Sequence, residues 1–255
     1  MFISRNIFKV NLLIIIITST YGLLNWFFFS QYSNSIDSLR SLYYSINYFG
    51  ITFNISNIIF IPIIALLATY SYLFLSNRIL LFSIGKNTHY YKNRFFLKVV
   101  VTLSTSLIVI TTYSLIVLIF YLINPEATYI VNDSTISLVK DNTLYSSIEY
   151  YIYSNPLRIF IFEAIILVFI PLFITTFMTL TIQDLIHSFV KTILLLFTYI
   201  FIFSFILSFF IPTQYNFNII FNYEVINNFK IYKVIFPYLY TITAIVLLEY
   251  FTYDI

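Results

Sequence analysis

The stretch "LKVVVTLSTSLIVITTYSLIVLIFYLI", residues 97–123, carries no Asp, Glu, Lys or Arg after Lys98. About 20 mostly apolar residues suffice for an α-helix to cross the hydrocarbon core of a bilayer. A barrel strand is roughly half as long and alternates apolar with polar positions, and this run does neither. It therefore reads as a transmembrane helix. Working outward, five more segments of the same kind lie at roughly 10–30, 57–76, 158–182, 189–212 and 233–252. The predicted fold is an all-α membrane protein, a bundle of six transmembrane helices forming one domain over residues 1–255.

Composition gives the same answer. Hydrophobic residues make up 60% of the chain and charged residues 9%, with a mean hydropathy of +0.92, whereas a soluble domain carries about 25% charged residues. Water is not the solvent for most of this surface. The chain has no Cys, which excludes disulfides, thiol catalysis and Cys-based metal sites. The abundance of Ile, Phe, Tyr and Asn resembles the codon bias of an AT-rich genome, so aromatic clusters carry little weight as functional evidence. Arg5 and Lys9 precede an apolar run, as in a signal peptide. That run continues through "LLNWFFF" with no small-residue cleavage site after it, so a retained anchor is expected.

Orientation follows the placement of Lys and Arg. With the N-terminus inside, Arg5, Lys9, Arg78, Lys86, Lys92, Arg94, Lys98 and Lys191 face the cytoplasm, eight of the thirteen basic residues. Arg40, Lys140, Arg158, Lys230 and Lys233 face out. Both termini are then cytoplasmic. The outer connections, about 31–56, 124–157 and 213–232, are rich in Tyr and Asn. They read as interfacial aromatic belts, or alternatively as a surface that meets a substrate or partner.

An enzyme is disfavoured. The ionisable candidates in or near the spans are Glu163, Asp184, His187 and Glu249. Glu163 and His187 are about 36 Å apart along one helix, too far to share a site. Asp184 and His187, at i, i+3, could bind a metal or shuttle a proton, with His89 within possible reach. With no second His beside them, they read as a cytoplasmic surface pair. There is no HExxH, no GxSxG, and no metal or other cofactor is expected. "IGKNT" at 84–88 lacks the second Gly and the Ser or Thr after Gly-Lys that a phosphate-binding loop requires. Any ATP must be handled by another chain.

Within the third span Ser104 and Thr111 are i, i+7, as are Thr105 and Thr112. Such a hydroxyl stripe serves close helix packing or lines a substrate path; Ser104, Thr111 and Thr112 are the candidates for the second role. Pro171, near the middle of the fourth span, is expected to kink it and joins them as a candidate.

The remaining signal is the basic segment "NRILLFSIGKNTHYYKNRFFLK", residues 77–98, which holds five of the thirteen Lys and Arg and no acid. Fixing topology and touching anionic membrane lipid account for part of it, at about 1 kcal/mol per basic residue near the surface. Aromatics interleave the charges, Tyr90 and Tyr91 beside Lys92 and Arg94. The segment reads as an extension of span two, a break near Gly85, and a short helix leading into span three: a rigid cationic knob suited to docking on a protein.

Six spans, cytoplasmic ends, no nucleotide site and a compact basic loop between spans two and three resemble the permease subunit of an ABC-2 type ABC transporter. The outline is similar to small permeases of bacteriocin or cytolytic-peptide export and self-protection in Gram-positive bacteria. No Glu precedes the loop, and 124–157 is the longest outer connection, where that family commonly has its own between spans five and six. The resemblance implies that the loop docks on a separate cytosolic ATPase through Arg78, Gly85, Lys86, Tyr90, Tyr91, Lys92 and Arg94, with Lys98 flanking. It also implies pairing with a second permease copy or a related one, location as a multi-pass protein of the bacterial cell membrane, and no nucleic-acid partner. An amphipathic substrate, peptide or lipid, would be exported or cleared, since spans so poor in charge cannot line a hydrophilic route. The alternative from another class is a non-transporting immunity or scaffold protein that binds its partner through the outer loops.

Overall fold

Apolar helices form the framework of a computed structural model that describes residues 2–33, 60–76, 87–123 and 164–198, together with 239, 242–243, 245–247 and 249–250. The helices are α1 (Phe2–Ser33), α2 (Phe60–Ser76), α3 (Asn87–Ile123), α4 (Ile170–Ile186) and α5 (Phe189–Phe197). A π-helical turn, Ala164–Phe169, leads into α4, and the described residues near the C-terminus are helical. No strand occurs among the described residues. Two helices, over Asn6–Leu24 and Arg94–Ile116, are long and apolar enough to cross a membrane.

Apolar side chains face outward as well as inward, and many polar ones are buried. On α1 the exposed positions include Phe8, Leu12, Leu13, Ile15 and Ile16, while Thr18 is fully buried. On α3 Phe96 is 66% exposed and Leu103 and Leu107 face outward, while Lys98, Thr102, Thr105 and Ser106 are buried. An apolar outside around a partly polar inside is stable in lipid, where intramembrane polar groups turn toward the bundle interior. Pattern, span length and composition together point to a helical membrane protein.

Contacts set the helix directions. Tyr21 stacks on Phe60 with ring centroids 4.2 Å apart, so the second half of α1 meets the start of α2. Gly22 lies against Ile116, and a Cβ there would come within 3.0 Å of Ile116 Cδ1; the missing side chain lets α1 close on α3. At the other end, Tyr72 of α2 packs with Val101 of α3 and Leu180 of α4. Thus α2 runs against α3, and α4 runs against α3 and beside α2. Helix α3 is one unbroken helix of 37 residues, about 55 Å long. The short helix expected to lead into span three forms the first turns of α3, since nothing from Asn87 to Lys98 breaks a helix.

Pro171 stands at the start of α4, directly after the π-helical turn. A proline cannot donate to the carbonyl one turn back, and a wider turn is a local way to absorb that loss. The expected irregularity at Pro171 is therefore a π-to-α junction. Helix α4 ends at His187, whose φ of 54° is left-handed and whose N–H donates to Gln183 O at 2.9 Å. Two residues later α5 begins, tied back by Thr192, which donates to the Gln183 side chain at 2.9 Å.

Candidate functional site

The sequence distributes Arg94 and Lys98 one turn apart on α3, Asp184 near the end of α4, Glu249 near the C-terminus, and Tyr72 late in α2. Because neighbouring helices alternate in direction, all five arrive at one end of the bundle. Arg94 Nη2 lies 2.5 Å from Asp184 Oδ1, and Lys98 Nζ lies 3.1 Å from Asp184 Oδ2. Lys98 also pairs with Glu249, and Thr181 donates to the same carboxylate at 2.6 Å. Tyr72 Oη sits 2.8 and 2.9 Å from the two Asp184 oxygens, donating to that carboxylate. It accepts from Arg94 Nε at 3.0 Å.

This network is buried: Lys98 is 2% exposed, and Asp184 and Glu249 are each 7% exposed. Among the described residues two cations face two carboxylates, and such matching of charge is what lets ions be held away from water. Removing one partner from such a cluster strands the others and typically costs about 3–5 kcal/mol. The cluster joins α2, α3, α4 and the helical residues around Glu249, and it is the only connection among the described residues made by paired charges.

This overturns the expected surface pair. Asp184 is turned inward onto Arg94 and Lys98, while His187 stays exposed beyond the end of α4. At i, i+3 the two would share a helix face, but α4 stops before His187 and its left-handed backbone turns the chain away. No group of three His, Cys, Asp or Glu suited to a metal occurs among the described residues.

Of the residues expected to dock an ATPase, Arg78, Gly85 and Lys86 lie outside the described residues. Tyr90, Tyr91 and Lys92 lie in the first turns of α3. Arg94 is engaged inward, with a side chain 20% exposed. Of the possible path residues, Ser104 and Thr111 are on the outer face and bond back to their own helix. Ser104 donates to Val101 O at 3.0 Å and Thr111 to Leu107 O at 2.7 Å. Thr112 is half-buried and donates to Ile108 O at 2.7 Å, and Pro171 is buried. The hydroxyls that do face inward on α3 are Thr102, Thr105 and Ser106.

Several of these inward hydroxyls lack partners. Thr69 and Thr179 donate to the carbonyl four residues back, the usual resort of a helical Thr. Thr18, Ser71, Thr102, Ser106, Thr175 and Thr176 are buried with no hydrogen-bond partner for their side chains. Each such group costs about 1–3 kcal/mol.

Tyr72 was missed in the sequence, where a Tyr at a span end is ordinary. The signal for the rest was available: two cations and two acids at the same ends of different spans, with matched charge. Comparison of the chain with protein-family models, curated proteins and solved structures finds no match.

Proposed function

We propose that this chain is the membrane-spanning subunit of a transporter of the ABC-2 permease type, with six spans and both ends in the cytoplasm. It exports or clears an amphipathic substrate and is driven by a separate cytosolic ATPase docked on residues 77–98. One observation carries the reading. The last two cations of the basic segment, Arg94 and Lys98, are the ones paired with Asp184 and Glu249. Because α3 is continuous from Asn87, a push on its first turns acts on the ends of α4 and the C-terminal helix through buried ion pairs. A loop that only fixed topology would need no such attachment. The helix directions support an even number of spans, since α1 starts and Glu249 lies at the network end.

Roles within the basic segment then divide. Arg78, Lys86 and Lys92 belong to docking, and Arg94 and Lys98 belong to transmission. The chain purified alone neither binds nor hydrolyses ATP, because it holds no phosphate loop. A docked ATPase copurifies with the wild-type chain and is lost when Arg78, Lys86 and Lys92 are reversed to Glu with insertion intact, since like charges at an interface cost several kcal/mol. Copurification that survives the reversal, or transport in liposomes by this chain alone, refutes the reading.

A further inference from the structure

Arg94, Lys98, Thr102 and Ser106 follow one another at steps of four along α3, so they lie on one inward ridge. The first two make the ion network; the next two are fully buried and unpartnered. Opposite them α4 runs the other way. Asp184 meets Lys98 and Leu180 packs with Val101, so Thr175 and Thr176 stand at the depth of Ser106. They too are buried, at 2% and 0% exposure, and unpartnered. Four of the six unpartnered hydroxyls thus share one seam between α3 and α4, starting one turn inward from the charges.

The bland account, that Ser and Thr merely allow close packing, predicts hydroxyls bonded back to their own helix. That is what Ser104, Thr111 and Thr112 do on the same helix. The seam hydroxyls forgo it. They are closed off from partner and solvent alike, an arrangement that disfavours this conformation and favours one in which the seam parts. With the charges neutralised among themselves, what an open seam presents is a row of neutral donors and acceptors about 6 Å apart.

Resting on the transport reading above, we propose that the α3–α4 seam is the closed substrate path. Thr102, Ser106, Thr175 and Thr176 line it, it accepts the uncharged hydrogen-bonding groups of the substrate, and the Arg94–Asp184–Lys98–Glu249 network holds it shut. Ser104 and Thr111 lie outside it.

Single cysteines test this in the Cys-free chain, reconstituted in nanodiscs. Thr102→Cys, Ser106→Cys and Thr176→Cys react slowly with a neutral probe, 2-hydroxyethyl methanethiosulfonate. Adding Asp184→Asn, or Glu249→Gln where the first variant is not monodisperse, speeds all three by about tenfold or more. Ser104→Cys serves as the outward control and changes little. The sulfonatoethyl and trimethylammonioethyl reagents stay slower than the neutral one. Unchanged rates, a parallel rise at Ser104→Cys, or equal reaction with charged reagents overturns the proposal. A measurement needing no lock variant is the melting temperature of Thr102→Val and Thr176→Val. Exchanging an unpaired hydroxyl for a methyl raises it, whereas a drop means the hydroxyls are already satisfied and the seam is packing. The two readings fail separately: reactivity that opens without any copurifying ATPase removes the energy source and leaves the path. A copurifying ATPase with an unreactive seam does the reverse.

Discussion

Asp184 is the residue on which the buried charges depend, since among the described residues it touches Arg94, Lys98 and Tyr72 together. Asp184→Leu leaves buried Lys98 and part-buried Arg94 facing one carboxylate, and a loss of about 3–5 kcal/mol is expected. Arg94→Leu strands the opposite sign and is also destabilising. Together they restore neutrality, leaving Lys98 with Glu249, so the double variant is expected to be more stable than Asp184→Leu. The non-additivity, about 0.5–3 kcal/mol for directly paired groups, is measured by thermal unfolding of all four proteins in one detergent. Strict additivity would mean that Arg94 and Asp184 do not act on one another. Charge matching was legible in the sequence, because Asp184 and Glu249 end spans on the side where Arg94 and Lys98 begin one. Which acid meets which base was not legible. Lys98 and Glu249 are 151 positions apart, and side-chain reach along each helix decides their pairing.

Helix–helix fit depends on fewer positions than hydropathy suggests. The contact of Gly22 with Ile116 sets how closely α1 approaches α3. Gly22→Ile overfills it and is expected to cost about 1–3 kcal/mol. Ile116→Ala alone leaves a void. Combined, the new branched side chain occupies the vacated space, so the pair is expected to recover most of the melting temperature lost by Gly22→Ile. If Ile116→Ala makes Gly22→Ile worse, the two helices do not meet there. Hydropathy located α1, α3 and α4 because an apolar run of that length has few other uses. It could not choose the inner face of α3. Hydroxyls stand all around that helix, at Thr102, Ser104, Thr105, Ser106 and Thr111, and a period of seven fits Ser104 with Thr111 as well as it fits Thr105 with Thr112. The inner face is fixed by Val101 and Lys98, through partners far away in the chain. Pro171 likewise marked an irregularity whose form, a π-helical turn rather than a simple kink, depends on local carbonyl pairing that proline content alone does not specify.

At the scale of the whole molecule, the ion network and the basic segment fix a side. Arg94 and Lys98 pair at the end of the bundle from which Asn87 extends, and Glu249 brings the C-terminal helix to the same end. On the proposed six-span reading most of the basic residues would share that side, and the bias in Lys and Arg would make it the cytoplasmic one. Helix α3 is about 55 Å long against roughly 40–45 Å for a bilayer with its headgroups, so on the transporter reading proposed above its first turns would project from the membrane while Arg94 is held by Asp184. Asn87 should therefore be accessible from the cytoplasm, and Asn132, beyond the other end of α3, from outside. Cysteine placed at each in the Cys-free chain distinguishes them with a membrane-impermeant thiol reagent on intact cells. Asn132→Cys is expected to label in intact cells and Asn87→Cys only after permeabilisation. The reverse pattern would put the ion network at the outer surface, remove the basic segment from any cytosolic ATPase, and leave the buried charges as a purely structural clamp.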